Sequence, residues 1–272
     1  MDASSLSATD SAPKQTPGRD EQPGRSTPRV EVARRRLPDP KQINERPVPL
    51  SPEQILAANR LHARLTQWIL GLRAMAALRS RFPENTADAV LLKIITVNSL
   101  HGPNVMSRAR VARHLEKVLS AADLEHAGPE LVEKLASVPS GATGGGTRKL
   151  YSFASKFAHF FLNPDEFPLM DQTSARMVRY HLGPRSWVPD EGYRYREFAA
   201  NFRRLRGQSG FKGRKRELSR YLWVAGQYHE WLRSPKARIN PELKSLFDSP
   251  SPEVAADIET LVPADIPGSP WL

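Results

Sequence analysis

The chain has 272 residues, no cysteine, and 40 basic against 29 acidic residues for a net charge of +11. The absence of cysteine excludes disulfides, thiolate-bound zinc and cysteine-held iron–sulfur clusters, and the seven histidines are scattered without metal-ligand spacing, so neither metal nor cofactor is expected. No apolar run reaches the roughly 18 residues of a membrane span and the N-terminus shows no signal-peptide pattern, so a cytoplasmic protein without membrane contact is expected.

Residues 1–49 are rich in Pro, Ser, Thr, Gly and charge, and lack apolar periodicity, which predicts a disordered arm carrying the cluster Arg34-Arg35-Arg36. Ser51 and Pro52 then read as N-cap and first helical residue of a helix over 51–78, with Ile55, Leu61, Leu65, Trp68 and Leu72 facing inward. Further helices are predicted at 85–100, carrying Val90, Leu91, Ile94 and Ile95, at 107–121 and at 128–137. The run Ser140 to Thr147 resembles a phosphate loop only in its glycines. It lacks the Gly-Lys-Ser/Thr ending and follows no strand, so it reads as a mobile linker.

The stretch from Leu150 to Val178 is the richest in chemical content. Phe153, Phe157, Phe160 and Phe161 mark one face of a helix, and Lys156 falls at the edge of that stripe. A lysine there either snorkels, its stem on phenylalanine and its head in water, or is desolvated enough to be a neutral nucleophile. The helix stops at Asn163-Pro164. Asp171 precedes a fresh helix and reads as its N-cap, a position that also fixes a carboxylate in direction and keeps it ionised. Fifteen residues separate the amine from the carboxylate.

A loop over 183–192 containing Trp187 follows, then a helix over 193–206, a basic turn over 207–215 and a helix over 216–233. Arg203, Arg204, Arg206, Lys212, Arg214, Lys215 and Arg216 form the densest positive cluster, suited to clamping phosphates. Tyr221, Leu222, Trp223 and Trp231 read as core. Residues 240–272 are acidic and Pro-rich, and read as a loose tail with a short helix at 252–261 that lies over the basic groove. The division expected is a disordered arm (1–49), a helical domain (50–235) and a loosely ordered tail (236–272). No segment alternates at period two, so the fold expected is all-α, with six to eight helices in two lobes.

The charge is unevenly placed. Residues 148–220 carry 16 basic and 7 acidic groups, whereas 241–272 carry 1 basic and 6 acidic. A positive surface around Lys156 is what phosphate-backbone binding requires, which makes double-stranded DNA the expected partner.

The stretch resembles the heart of the helix-hairpin-helix DNA glycosylase superfamily, which includes the 8-oxoguanine glycosylases and endonuclease III. The family's Leu-Pro-Gly-Val-Gly hairpin lies on Leu150, Tyr151, Ser152, Phe153 and Ala154, followed by Ser155 and Lys156. Its Val-Pro-Val-Asp segment lies on Phe167-Pro168-Leu169-Met170-Asp171. Ser152 and Ala154 stand in place of both hairpin glycines and Tyr151 in place of the proline. The chain is more closely similar to a divergent bacterial branch with a Ser-Phe-Ala-Ser-Lys box, on the strength also of Val97 to Leu100 and of Arg216 to Trp223.

The resemblance implies a two-lobed helical domain with disordered termini, acting as a nucleoid-associated monomer. It implies that a modified or damaged nucleotide is flipped into a cleft between the lobes. Lys156 then attacks C1′ and forms a Schiff base, and Asp171 stabilises charge developing on the sugar. DNA contacts are expected from Tyr151, Ser152, Ser155, His159, Arg148, Lys149, Arg203, Arg204, Lys212, Arg214 and Lys215. Tyr180, Phe167 and Trp187 are further candidates for the base pocket. The alternatives are a non-catalytic DNA-binding protein on a glycosylase-like scaffold, favoured by the missing hairpin glycines, and a protein-interaction module with a basic surface.

Overall fold

The computed structural model describes residues 47–140, 146–183, 195–234 and 236–261. Among these the fold is all-α, with eleven α-helices and one two-stranded hairpin. The arm over 1–46 and Trp187 lie outside the described residues. No described helix is long and apolar enough to cross a membrane.

Helix α1 (Pro52–Ala63) opens as its sequence predicts. Ser51 Oγ accepts from Gln54 N–H and Gln54 Oε1 accepts from Ser51 N–H at 2.9 Å, a reciprocal box with Pro52 in the first turn. The helix expected to run on to residue 78 instead breaks at Arg64-Leu65, and α2 (Thr66–Arg81) starts afresh. The cause is remote. Leu65 offers α2 no side-chain cap, and the Glu242 carboxylate supplies one, accepting from the N–H groups of Gln67 (2.9 Å) and Trp68 (2.8 Å). A carboxylate at a helix N-terminus pairs with free donors and with the positive end of the dipole.

Helix α3 (Ala87–His101) ends at Gly102, whose φ of 56° is the left-handed conformation that glycine adopts without penalty. Helices α4 (Arg108–Ser120) and α5 (Pro129–Ala136) follow. The segment read as a mobile linker is flanked by a hairpin: β1 (Ser137–Pro139) pairs antiparallel with β2 (Thr147–Lys149), with Val138 opposite Arg148. Residues 141–145 at its tip lie outside the described residues. Helix α6 (Tyr151–Phe157) begins one residue later and continues as a π-helical turn over Ala158–Leu162. Tyr151 to Ala154, laid above on the family's hairpin, are therefore the first turn of a helix rather than a loop before one.

Helices α7 (Gln172–Leu182), α8 (Tyr195–Gln208) and α9 (Lys215–Arg233) complete the predicted set. The packing falls into two groups around one continuous apolar core: α1, α7, α10 and α11 gather about α9 or α1, while α3, α4, α5, α6 and α8 pack on one another. Helix α2 touches α3 and the π turn.

The tail is a correction to the sequence reading. Helices α10 (Pro241–Asp248) and α11 (Pro252–Leu261) bury Leu243, Phe247, Val254 and Ile258, so the domain extends to Leu261 rather than ending at 235. Gln54 Nε2 donates to the Leu261 carbonyl at 3.0 Å and Arg60 Nε to Asp257 at 2.8 Å. The described tail acids Glu242, Glu253 and Asp257 thus engage α1 and α2, not the basic cluster after α8. Helix α11 matches the short helix expected at 252–261, whereas proline and acid content masked α10. Phe247 is 1% exposed and packs on Tyr228 and Trp231. Phe247→Ala is expected to lower unfolding free energy by about 3–5 kcal/mol in urea titration, the range for truncating a buried phenylalanine.

Candidate functional site

Two segments meet through one hydroxyl. Ser155, fully buried on α6, accepts from the Met170 N–H at 3.1 Å. Its own proton goes to the carbonyl of Met170 at 3.0 Å or of Ser152 at 3.1 Å. The residue after Ser155 is Lys156 and the residue after Met170 is Asp171, so this clamp ties together the two segments that carry the amine and the carboxylate. Ser155 was expected to touch DNA; with no exposed surface it cannot, and its role is to hold the two strands of chain in register. Ser155→Ala leaves the Met170 N–H without its partner and is expected to cost about 1–3 kcal/mol in denaturant-unfolding experiments.

Asp171 caps α7 as predicted, Oδ1 accepting from Ser174 N–H at 2.8 Å. Lys156 is half-buried and its Nζ donates to the His101 carbonyl at 3.3 Å, at the C-terminal end of α3. Burial pushes the Lys156 ammonium below its ordinary pKa, and the nearby Asp171 carboxylate offsets part of that shift.

Lys156 and Asp171 line the same cavity, of about 720 Å³, where the two helix groups meet. Its walls are aromatic. Trp68 of α2 stacks on Trp223 of α9 with ring centroids 4.6 Å apart, His101 lies edge-on to Trp68 at 4.7 Å, and Phe160 stacks on His101 at 4.5 Å. The π turn after Lys156 contributes to this arrangement: Asn163 N–H bonds back to Ala158, five residues earlier, in the turn that carries His159 and Phe160. His159 donates Nδ1–H to the Phe167 carbonyl at 2.8 Å, and burial holds its pKa down at about 4. Burial likewise lowers His101 to about 3 and His62, also on the cavity wall, to about 4. The cavity therefore holds neutral imidazoles, with Arg79 of α2 and Arg216 and Arg220 of α9 as the arginines of its lining.

Of the expected contact residues, His159 lines this cavity and the others do not. Arg148 and Lys149 lie exposed on β2, where Lys149 Nζ donates to Ser137 Oγ at 2.7 Å. Ser152 and Tyr151 are half-buried in the first turn of α6, and Tyr180 and Phe167 lie outside the cavity lining. Arg203 and Arg204 are exposed on α8. Lys212, Arg214 and Lys215 border a separate shallow recess together with Asp165, Glu166 and Glu217. Lys215 pairs with Glu166 at 2.9 Å, and the Arg216 N–H donates to Asp165 at 3.2 Å. The densest positive run is thus partly neutralised by acids from the loop after α6.

Sequence reasoning missed Trp68, His101, Arg220 and Trp223 as site residues, and assigned Trp223 to the core. One signal was present: Arg216, Arg220, Trp223 and Gln227 fall at i, i+4, i+7 and i+11, a polar-aromatic stripe on one face of α9 that faces the cavity. Among the described residues no group of three or more His, Asp or Glu is placed to hold a metal ion.

Residues 54–166 are similar to a protein family whose model is described as the HI_0787_N N-terminal domain. That match includes Lys156 and stops short of Asp171. No curated protein and no solved structure matches the chain.

Proposed function

We propose that the protein is a base-excision DNA glycosylase of the helix-hairpin-helix kind with associated lyase chemistry, acting on double-stranded DNA. The observation that carries this reading is that Lys156 and Asp171 open onto one aromatic cavity. A flipped base stacks against aromatic walls, and an amine with a lowered pKa that shares a cavity with a fixed carboxylate suits attack at an acetal-like carbon. Lys156 Nζ forms a bond to C1′ as the glycosidic C–N bond breaks and the base leaves with a proton. The remaining amine proton passes to the ring oxygen as the C1′–O4′ bond breaks, which opens the sugar and gives a Schiff base. Asp171, negative and directionally held, stabilises the positive charge that develops on the sugar in between. Arg216 and Arg220 supply cationic contacts at the cavity wall for a neighbouring phosphate.

The test is incubation with duplexes carrying a panel of damaged and modified bases, followed by borohydride reduction and denaturing gels. A covalent protein–DNA adduct on at least one substrate is the expected result; neither adduct nor released base across the panel overturns the proposal. Asp171→Asn keeps a good N-cap, since asparagine caps about as well as aspartate, so the fold should persist. Its excision rate should nonetheless fall by about 10²–10³-fold, as for loss of one preorganised electrostatic contact. Gel-shift affinity for duplex should be retained.

A further inference from the structure

A second recess of about 230 Å³ adjoins the cavity and shares Trp68, Leu72, Leu100, His101, Asn240 and Pro241 with it. A single benzene-sized ring is held by a cavity of roughly 150 Å³. The main cavity therefore has room for a base without the recess, and the recess has room for something further. Gln67, Gly71 and Glu242 complete its lining.

Its polar character is specific. Asn240 Oδ1 is committed to the N–H groups of Glu242 and Leu243, both at 3.0 Å, which assigns its side-chain nitrogen as the donor left without a partner among the described residues. The Gln67 carboxamide makes no described hydrogen bond either. The Glu242 carboxylate is spent on capping α2 but remains a negative charge on the wall, which disfavours an anion there. Trp68, Leu72 and Leu100 provide the apolar remainder.

We infer that this recess receives an uncharged, hydroxylated or carbonyl-bearing substituent carried by the target base, so that the preferred substrate is an enlarged base. The inference rests on the glycosylase reading for its substrate and adds the class of base. Gly71 gives access to it, since it lines the recess and not the main cavity, away from Lys156 and Asp171. A Cβ placed on Gly71 would meet only the Leu100 side chain, at 3.5 Å, an ordinary contact. Leucine is also the better helix former, so Gly71→Leu should fold while filling the recess.

Duplexes would carry 5-hydroxymethylcytosine or its glucosylated form, adenine or N6-carbamoylmethyladenine, and 5-carboxylcytosine as the anionic control. The same nucleosides would be titrated calorimetrically into full-length wild type and Gly71→Leu, with thermal melting to confirm folding. Wild type should favour an enlarged uncharged base over its small partner by about tenfold or more, and Gly71→Leu should bring that ratio to about one. Equal treatment of small and enlarged bases, preference for the carboxylate, or a ratio unmoved by Gly71→Leu overturns the recess assignment and leaves the glycosylase standing. Binding of the enlarged nucleoside that Gly71→Leu abolishes, without excision of any base, sustains the recess and sinks the glycosylase. Absence of both binding and excision ends both.

Discussion

Lys156→Ala should abolish the borohydride-trapped adduct entirely and slow base release by about 10³-fold or more, the scale of loss when a covalent nucleophile is removed. Lys156→Arg should be as inactive, because guanidinium stays protonated and cannot attack carbon. The alanine change should not weaken the fold. Lys156 is half-buried, burial lowers its pKa, and its one described hydrogen bond is to the His101 carbonyl. Removing a desolvated ammonium relieves a cost of burial, so Lys156→Ala should melt at or above the wild-type temperature. The same lowered pKa gives the direction of the pH–rate profile: the nucleophilic form gains population at a lower pH than for an ordinary lysine, so trapping rises with pH ahead of the usual lysine range. Unchanged trapping in Lys156→Ala would remove the amine from the chemistry altogether.

Acid should unfold this protein at a higher pH than a carboxylate-driven transition would. Five histidines are held neutral by burial, with pKa lowered from 6.5 to about 4 in His62, His159 and His181, and to about 3 in His101 and His229. Each is neutral in the folded state and protonated in the unfolded chain once pH drops below 6.5. The unfolded state thus binds more protons, and the stability present above pH 6.5 is lost as pH falls towards the folded-state values. Each group costs about 1.4 kcal/mol per pH unit in that window, so five together remove about 7 kcal/mol by pH 5.5. A total stability in the lower half of the usual range of roughly 5–15 kcal/mol is then exhausted near pH 5. His181 shows why protonation is so unwelcome: Nδ1–H donates to the Val48 carbonyl at 2.7 Å while Nε2 accepts from the Tyr221 hydroxyl at 2.7 Å. A protonated ring has no acceptor nitrogen for that tyrosine. Far-UV circular dichroism against pH checks this, and a stability that stays flat between pH 7 and 5 contradicts it.

The sequence was legible where structure is local. Ser51-Pro52 announced α1, Asp171 announced α7, and the phenylalanines after Leu150 announced α6, because caps and periodicity act within a few residues. The break at Arg64-Leu65 was invisible because its cause, Glu242, lies 175 residues away from the Gln67 N–H it caps. The tail misled for a related reason. Pro241 looks like a breaker, but it sits in the first turn of α10, as Pro252 does in the helix expected at 252–261, where a missing N–H does no harm. Of the candidate site, the Lys156–Asp171 pairing was readable from a resemblance, and Ser155 between them was read for the wrong purpose. The aromatic walls were not readable, since Trp68 and Trp223 stack only after the two helix groups have assembled.

Trp68, Trp223, Asn240 and Pro241 make the cavity a product of both halves of the chain, with Glu242 fixing α2 and Leu261 tied to Gln54. During synthesis the ribosome releases α1 and α2 long before their partners exist. The amine on α6 therefore emerges into an unfinished wall, which is completed only when the segment that begins α10 docks. A chain that stops before Asn240 lacks Asn240 and Pro241 from the cavity wall and Glu242 from the start of α2.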